Sequence, residues 1–396
     1  MTRRRLILIL CAAVAAMLGT PLAAAAAAAP STPWAQGDSD AAHSRSNNAE
    51  NTLSPSSVRG VALRGSISVP SSNSGPFCPT FGANHVTLSN GRVYGVFGGR
   101  VSSYDAGTRA RIWHGAVNVS IDWTSVSVTN SLVVAGREGC SSAYNPAGAV
   151  TAFRVADGST AWTRTARYGV FDTVVSDGVV VSSEFGKSNR TATEARSLST
   201  GALLWSHETY CQDFYHAHVI GGRAVYVACN ADQSNQRLVA VNLRSGATSW
   251  TRAAHLQVAA GDSDASSARH LYVQAANGAI QDLDPATGAL QHTLSGATAL
   301  LAVDGDRAYT MCGTSHVCAY ATGSGNRRWS VFSDAYLAAV ADGLVYLGDG
   351  RVLSAATGHL VRTLPYSSAG QLVVGDGRIG AVQSPQTFAL YGLTGS

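Results

Sequence analysis

The chain is poor in lysine, in charge and in closely paired cysteines. Lys187 is the only lysine among 28 basic residues, and charged side chains make up 13% of the 396 residues. No basic stripe runs through any segment. That excludes nucleic acid or an anionic membrane surface as the expected partner. No two cysteines are adjacent and no C-x-x-C pair occurs, which removes the usual spacing of a structural zinc site. Beyond the first thirty residues no apolar run approaches the roughly 20 residues of a membrane-spanning helix.

The first residues stand apart from the rest. Arg3, Arg4 and Arg5 precede an apolar stretch, Leu6 to Leu18, and an alanine run ends at Ala29. A charged start, a short apolar stretch and small-x-small cleavage positions read as a signal peptide over residues 1–29. The expectation is export by the general secretory route, with the twin-arginine route left open, and a secreted, extracellular protein. Lipid attachment at Cys11 would need a small residue where Leu10 stands. Without the three arginines, 25 basic residues face 24 acidic ones, so the remaining chain is near neutral. Its alanine content and single lysine read as the product of a GC-rich genome, with an actinobacterium as the expected source. Residues 30–57 are polar, carry almost no apolar periodicity and read as an extended arm. Residues 58–396 are left for folding, more than one compact core usually holds.

Internal repetition resolves that difficulty. Trp113, Trp162, Trp205 and Trp250 follow one another at 49, 43 and 45 residues, and Trp329 comes 79 residues later, close to two periods. Each closes a unit of the form seen in DGLVYLGDGRVLSAATGHL, Asp342 to Leu360. Short β-rich strands alternate there with Asp-Gly and Thr-Gly turns. A period of 40–50 residues with four short strands predicts an all-β propeller. Asp-Gly and Asn-Gly pairs supply the positive φ of tight hairpins, and each Trp is expected to pack against the next blade. Seven full units end near Thr363, and Gln371 to Leu393 holds three strands without a fourth. VRGVALRGSIS, near residue 58, is expected to supply the missing strand. That gives eight blades in a ring closed by an N-terminal strand, with seven blades as the alternative.

The elements AVNLRSGATSW, LDPATGAL and AATGHL resemble the repeat of the PQQ-like, or quinoprotein alcohol dehydrogenase-like, propeller family. WAQGDSDAAHSRSNNAENTLSPSSV is similar to the stretch that precedes blade one in that family, so the resemblance runs from Trp34 to Leu393. It implies the propeller fold. Its catalytic members bind PQQ and calcium in a central funnel, stack the quinone on a disulfide of adjacent cysteines and use an Asp base. Its non-catalytic members include the propeller subunit of the outer-membrane barrel-assembly machinery. No adjacent cysteines occur here, and no position matches the calcium ligands or the base. No cofactor and no catalytic residue are therefore assigned. A non-catalytic binding or scaffold propeller is the leading reading, and an oxidoreductase using PQQ or another group in the funnel is the alternative.

Six cysteines remain after the leader, an even number that reads as disulfides in an exported chain. The expected pairs are Cys312–Cys318, bordering one hairpin loop, then Cys211–Cys229, and Cys78–Cys140 by elimination. All fall in loops of one propeller face. That face also carries the unusual loops, with Asp122 and Trp123, Tyr168, Phe171 and Asp172, Tyr210, Asp213, Tyr215, His216 and His218, and Asp334 and Tyr336. From these, Asp122, Trp123, Tyr168, Asp172, Asp213, Tyr215, His216, Asp334 and Tyr336 are the candidate ligand contacts. Aspartates and aromatics on such a face suit a protein, peptide, glycan or cation. His216 and His218 have strand-like spacing, yet a histidine pair without a third ligand is a weak zinc signal, and no metal site is assigned. The expected protein is a monomer.

Overall fold

The structure is a computed structural model that describes residues 34–68, 83–115, 121–139, 148–211, 216–253, 256–368, 370–384 and 386–394. Its sheets form eight propeller blades, seven of them built from four consecutive antiparallel strands. The inner strands, in order, are Ala83–Ser89, Ile121–Val128, Gly169–Ser176, His218–Ile220, Leu256–Gly261, Ala297–Val303, Ala338–Ala341 and Leu372–Gly375. Blade eight has three strands from the C-terminal end, and its outer strand is Val61–Ser68, antiparallel to Thr387–Leu393 with Val61 opposite Leu393. The expected closure by the N-terminal strand holds. A closed ring leaves each blade packed on both faces, which suits the apolar runs Val179–Val181 and Leu344–Leu347.

Local chemistry sets the hairpins. Asn90-Gly91, Asp177-Gly178, Asp342-Gly343 and Asp376-Gly377 all have positive φ at both positions, the geometry of tight turns between strongly twisted strands.

The tryptophans join blade to blade. Trp113, Trp162, Trp205, Trp250 and Trp329 each donate an indole N–H to a carbonyl of the next blade's outer turn. The acceptors are Val155, Leu198, Leu243, Pro285 and Ala355, each at 2.9 Å. Each ring lies flat on a glycine of that turn; a Cβ on Gly158 would come within 2.5 Å of Trp113. Blade five carries His292 there, against Gly325, and blade seven carries Arg362, which bonds the Val58 carbonyl ahead of the closing strand. At the last junction the roles reverse. Arg109 occupies the left-handed turn position, and its side chain lies over Gly65 and donates to Arg64.

The polar arm is part of the ring. Inner strands expose unpaired backbone groups toward the central channel, and residues 34–47 satisfy one blade after another. Leu88, Val128, Val175, Val219, Gly261, Val303, Val340 and Val374, one from each inner strand in order, bond to Trp34, Ala35, Gln36, Ala41, Ala42, Ser44, Arg45 and Asn47 at 2.7–2.9 Å. Ser46–Asn47 even forms a short strand parallel to blade seven. The arm is thus a belt that circles the channel once.

Candidate functional site

The belt bonds residues near the ends of the inner strands, so it closes the channel from one side. What stays open is a funnel toward the face where the strand-two to strand-three hairpins and the inter-blade loops lie. Belt residues Asp38, His43 and Arg45 form its floor. The inner strands of blades one, two, three, five and six each carry a register break at funnel level. Bulges of this kind re-aim side chains. They fall at His85, Thr124, Phe171, Ala259 and Leu301, and all five line the funnel. One lobe has a volume of ≈ 370 Å³ and adds Asp172, His216, Gly370 and Gln371 to its wall. A smaller lobe of ≈ 160 Å³ adds His218.

The floor is a tight polar network. Asp38 accepts from His43 Nδ1 at 3.0 Å and from Arg45 Nε at 2.9 Å. His43 Nε2 donates to the Ala217 carbonyl at 2.7 Å and lies 3.5 Å from Asp172 Oδ2. Burial alone would lower the His43 pKa. The hydrogen bond to Asp38, the charges of Asp172 and Asp38, and the Ala217 carbonyl outweigh it and push the group up to about 9. Asp38 is held well below the usual carboxylate range, because Arg45 and His43 outweigh its desolvation. Asp40, under the floor, accepts from the Ala42 and Ser44 amides and the Ser44 hydroxyl, yet burial still raises it to about 6. Ser39, His43 and Arg45 all adopt positive φ. Three left-handed non-glycine residues so close together mark a segment whose shape its surroundings dictate.

His218 is buried beside His43, with ring centroids 4.6 Å apart, and burial holds its pKa well below the ordinary histidine value. Its Nδ1 has no hydrogen-bond partner. His216 is 70% exposed, with Nδ1 3.4 Å from Asp172 Oδ2. Asp172 also accepts from the Ala217 amide at 3.3 Å.

Of the candidate contacts read from sequence, the structure brings Asp172 and His216 together in the funnel. Tyr168 packs on Gly186, and its amide is held by buried Glu184. Asp334 and Tyr336 stand exposed in the loop between blades six and seven, and neither lines the funnel. Asp122 and Trp123 belong to blade two's inner strand, but their side chains lie outside the described residues, as do Asp213 and Tyr215. Sequence reasoning missed Asp38, His43, Arg45, His85 and Gln371. A dense run of Asp, Ser and His in GDSDAAHSR was the available signal. The bridges Cys211–Cys229 and Cys312–Cys318 are formed, with Cα separations of 5.1 and 6.0 Å, on the face where the funnel opens. The pair Cys78–Cys140 lies outside the described residues. Among those residues no helix is long and apolar enough to cross a membrane.

A family model described as outer membrane protein assembly factor BamB matches residues 97–259 and 193–336, more than half of the chain. A search of curated proteins finds no match. Among solved structures, BamB from Moraxella catarrhalis has 16% identity and a TM-score of 0.56 over 85% of this chain and 98% of its own. Quinohemoprotein alcohol dehydrogenase from Comamonas testosteroni has 13% identity and a TM-score of 0.61 over 92% of this chain and 81% of its own. The computationally designed Ika8 protein has 17% identity and a TM-score of 0.63 over 82% of this chain and 98% of its own. At such identities the likeness concerns the fold.

Proposed function

Since this chain belongs to the family described as outer membrane protein assembly factor BamB, we propose that it is a secreted, non-catalytic binding or scaffold propeller. It engages a protein, glycan or small ligand on the disulfide-bearing face. One observation carries the reading: Asp38 and His43, the acid and the imidazole of the funnel floor, are tied to each other, to Arg45 and to the backbone. Asp38 holds both Arg45 and His43, and His43 also holds the Ala217 carbonyl. Groups locked in this way serve as a rigid, shaped wall rather than as acids, bases or nucleophiles that must change partners during a reaction. Two bridges fix loops on the same face, which lowers the ordering cost of engaging a partner there.

The structural likeness to a quinohemoprotein alcohol dehydrogenase motivates the second reading, an oxidoreductase with its site in the funnel. PQQ is a flat tricarboxylate, and it needs unspent cationic donors. At the floor both nitrogens of His43 are occupied, and Arg45 gives Nε to Asp38 and Nη1 to the Leu301 carbonyl. The rest of one guanidinium is then the cationic donor left there for three carboxylates, a poor match to that group. The test pairs affinity capture from secreted and cell-wall fractions with dye reduction on alcohols and sugars after PQQ and Ca²⁺ are added. Saturable capture without dye reduction is expected. Turnover without any captured partner overturns the proposal.

A further inference from the structure

The smaller lobe of the funnel joins one partly open guanidinium to an apolar wall. Arg45 gives Nε to Asp38 at 2.9 Å and Nη1 to the Leu301 carbonyl at 3.4 Å. Its Nη2 makes no hydrogen bond among the described residues, and the side chain is 30% exposed where it lines the lobe. Opposite chemistry comes from blades five and six, whose inner strands break register at Ala259 and Leu301. Val258, Ala259, Ala260, Leu300 and Leu301 line the lobe together. A few fixed polar groups beside an apolar wall are the usual make-up of a small-ligand site. The charges agree with it. Asp38 faces two cations, His43 at 3.0 Å and Arg45 at 2.9 Å, so the trio carries one positive charge in surplus. Asp172, the other carboxylate lining the funnel, borders only the larger lobe. His218 adds no charge, because burial holds its pKa well below the ordinary histidine value.

We propose that the smaller lobe binds a single carboxylate with a short aliphatic tail, the acid group on the free edge of Arg45 and the tail against Val258, Leu300 and Leu301. This rests on the reading of the funnel as a binding site and names what its ligand must carry. A planar guanidinium matches a carboxylate in geometry, and charge-assisted bonds of this kind are the strong ones. The donor is held ready. The Arg45 carbonyl bonds the Val340 amide at 2.9 Å, and Asp38 and the Leu301 carbonyl fix the guanidinium, so little ordering is left for the ligand to impose. One surplus cation suits one acid group; further carboxylates would lie unpaired against the apolar wall, which is costly. The volume of ≈ 160 Å³ keeps the tail short. The acid group has two sources, the free C-terminus of a chain ending in an aliphatic residue or a small free acid, and the lobe reads the same chemistry in both.

The test is calorimetric titration of the full chain with isovalerate, with the peptide Ala-Ala-Val, and with the C-terminal amide of that peptide. One equivalent of acid is expected to bind, and the amide at least about tenfold more weakly than the peptide acid. Tighter binding of the peptide than of isovalerate assigns the chain-end source, and the reverse order assigns the small acid. Arg45→Gln is expected to weaken acid binding at least about tenfold. Ala259→Leu, which fills the lobe and leaves Arg45 in place, is expected to weaken it as well, and it decides the matter should Arg45→Gln fail to fold. Arg154→Gln, in an outer turn of blade two, is expected to leave binding unchanged. Absence of acid binding, equal affinity for the amide, or unchanged affinity in a folded Arg45→Gln or in Ala259→Leu overturns the proposal. Capture of a partner by a chain that binds neither acid leaves the binding function standing and removes only the carboxylate.

Discussion

The contact between Trp205 and Gly246 offers a measurable account of how one blade grips the next. The Trp205 ring is 7% exposed, and its N–H reaches the Leu243 carbonyl at 2.9 Å. Trp205→Ala removes both ring and bond, so a loss of about 3–5 kcal/mol is expected. Trp205→Phe keeps most of the ring and leaves a carbonyl without its donor, for about 1–2 kcal/mol. Gly246 has φ +69°, and a Cβ there would come within 2.6 Å of the Trp205 ring. Gly246→Ala therefore carries two costs: about 1–2 kcal/mol for the left-handed backbone and about 1–3 kcal/mol for overpacking. Only the first survives once the ring is gone. In the Trp205→Ala background Gly246→Ala should cost about 1–2 kcal/mol, so the double mutant is more stable than additivity predicts by about 1–3 kcal/mol. Urea unfolding of the four oxidised proteins by far-ultraviolet circular dichroism measures this. Additivity within about 0.5 kcal/mol would refute the stacking argument.

Other expectations follow from the belt, the buried acids and the bridges. Gln36 bonds both the amide and the carbonyl of Val175 from a buried position. Gln36→Ala should cost about 2–4 kcal/mol and speed hydrogen exchange at Val175; unchanged exchange there would show that the belt does not seal the strand. Burial, then the charge of Glu194, raise the Glu184 carboxyl from 4.5 to about 8. The folded state therefore holds a proton that the unfolded chain has lost between about pH 4.5 and 8, and stability falls as pH rises through that window. Glu184→Gln should match the parent near pH 5 and exceed it at pH 8.5 in melting temperature; parallel pH profiles would contradict this. Cys211 and Cys229 close a loop of sequence separation 18. The double alanine variant should lose about 3 kcal/mol, with a loss under about 1 kcal/mol counting against the loop-entropy argument.

The ring was legible because its signals are periodic and local. Trp spacing, Asp-Gly and Thr-Gly turns and a missing last strand each repeat a physical need of the blade, and eight blades with the N-terminal closing strand follow from them. The belt was not legible. Its bonds run from residues such as Ala35 and Ser44 to strands far away in sequence, and backbone bonds leave no side-chain pattern. The site was half legible. Asp172 and His216 declared themselves as polar residues at strand entries, but the register breaks that turn Thr124 and Phe171 inward depend on sheet pairing. Asp38 and His43 were hidden because a polar segment without apolar period reads as solvated chain.

The central claim is that the disulfide-bearing face, around the funnel, is the binding surface. The most direct measurement places a photo-cross-linking side chain at Tyr336, which is 74% exposed on that face, and at Asp177, which is 73% exposed on a turn of the opposite face. After irradiation in secreted and cell-wall fractions, a discrete adduct from position 336 and none from 177 is the predicted result. An adduct from 177 with none from 336 would contradict the account.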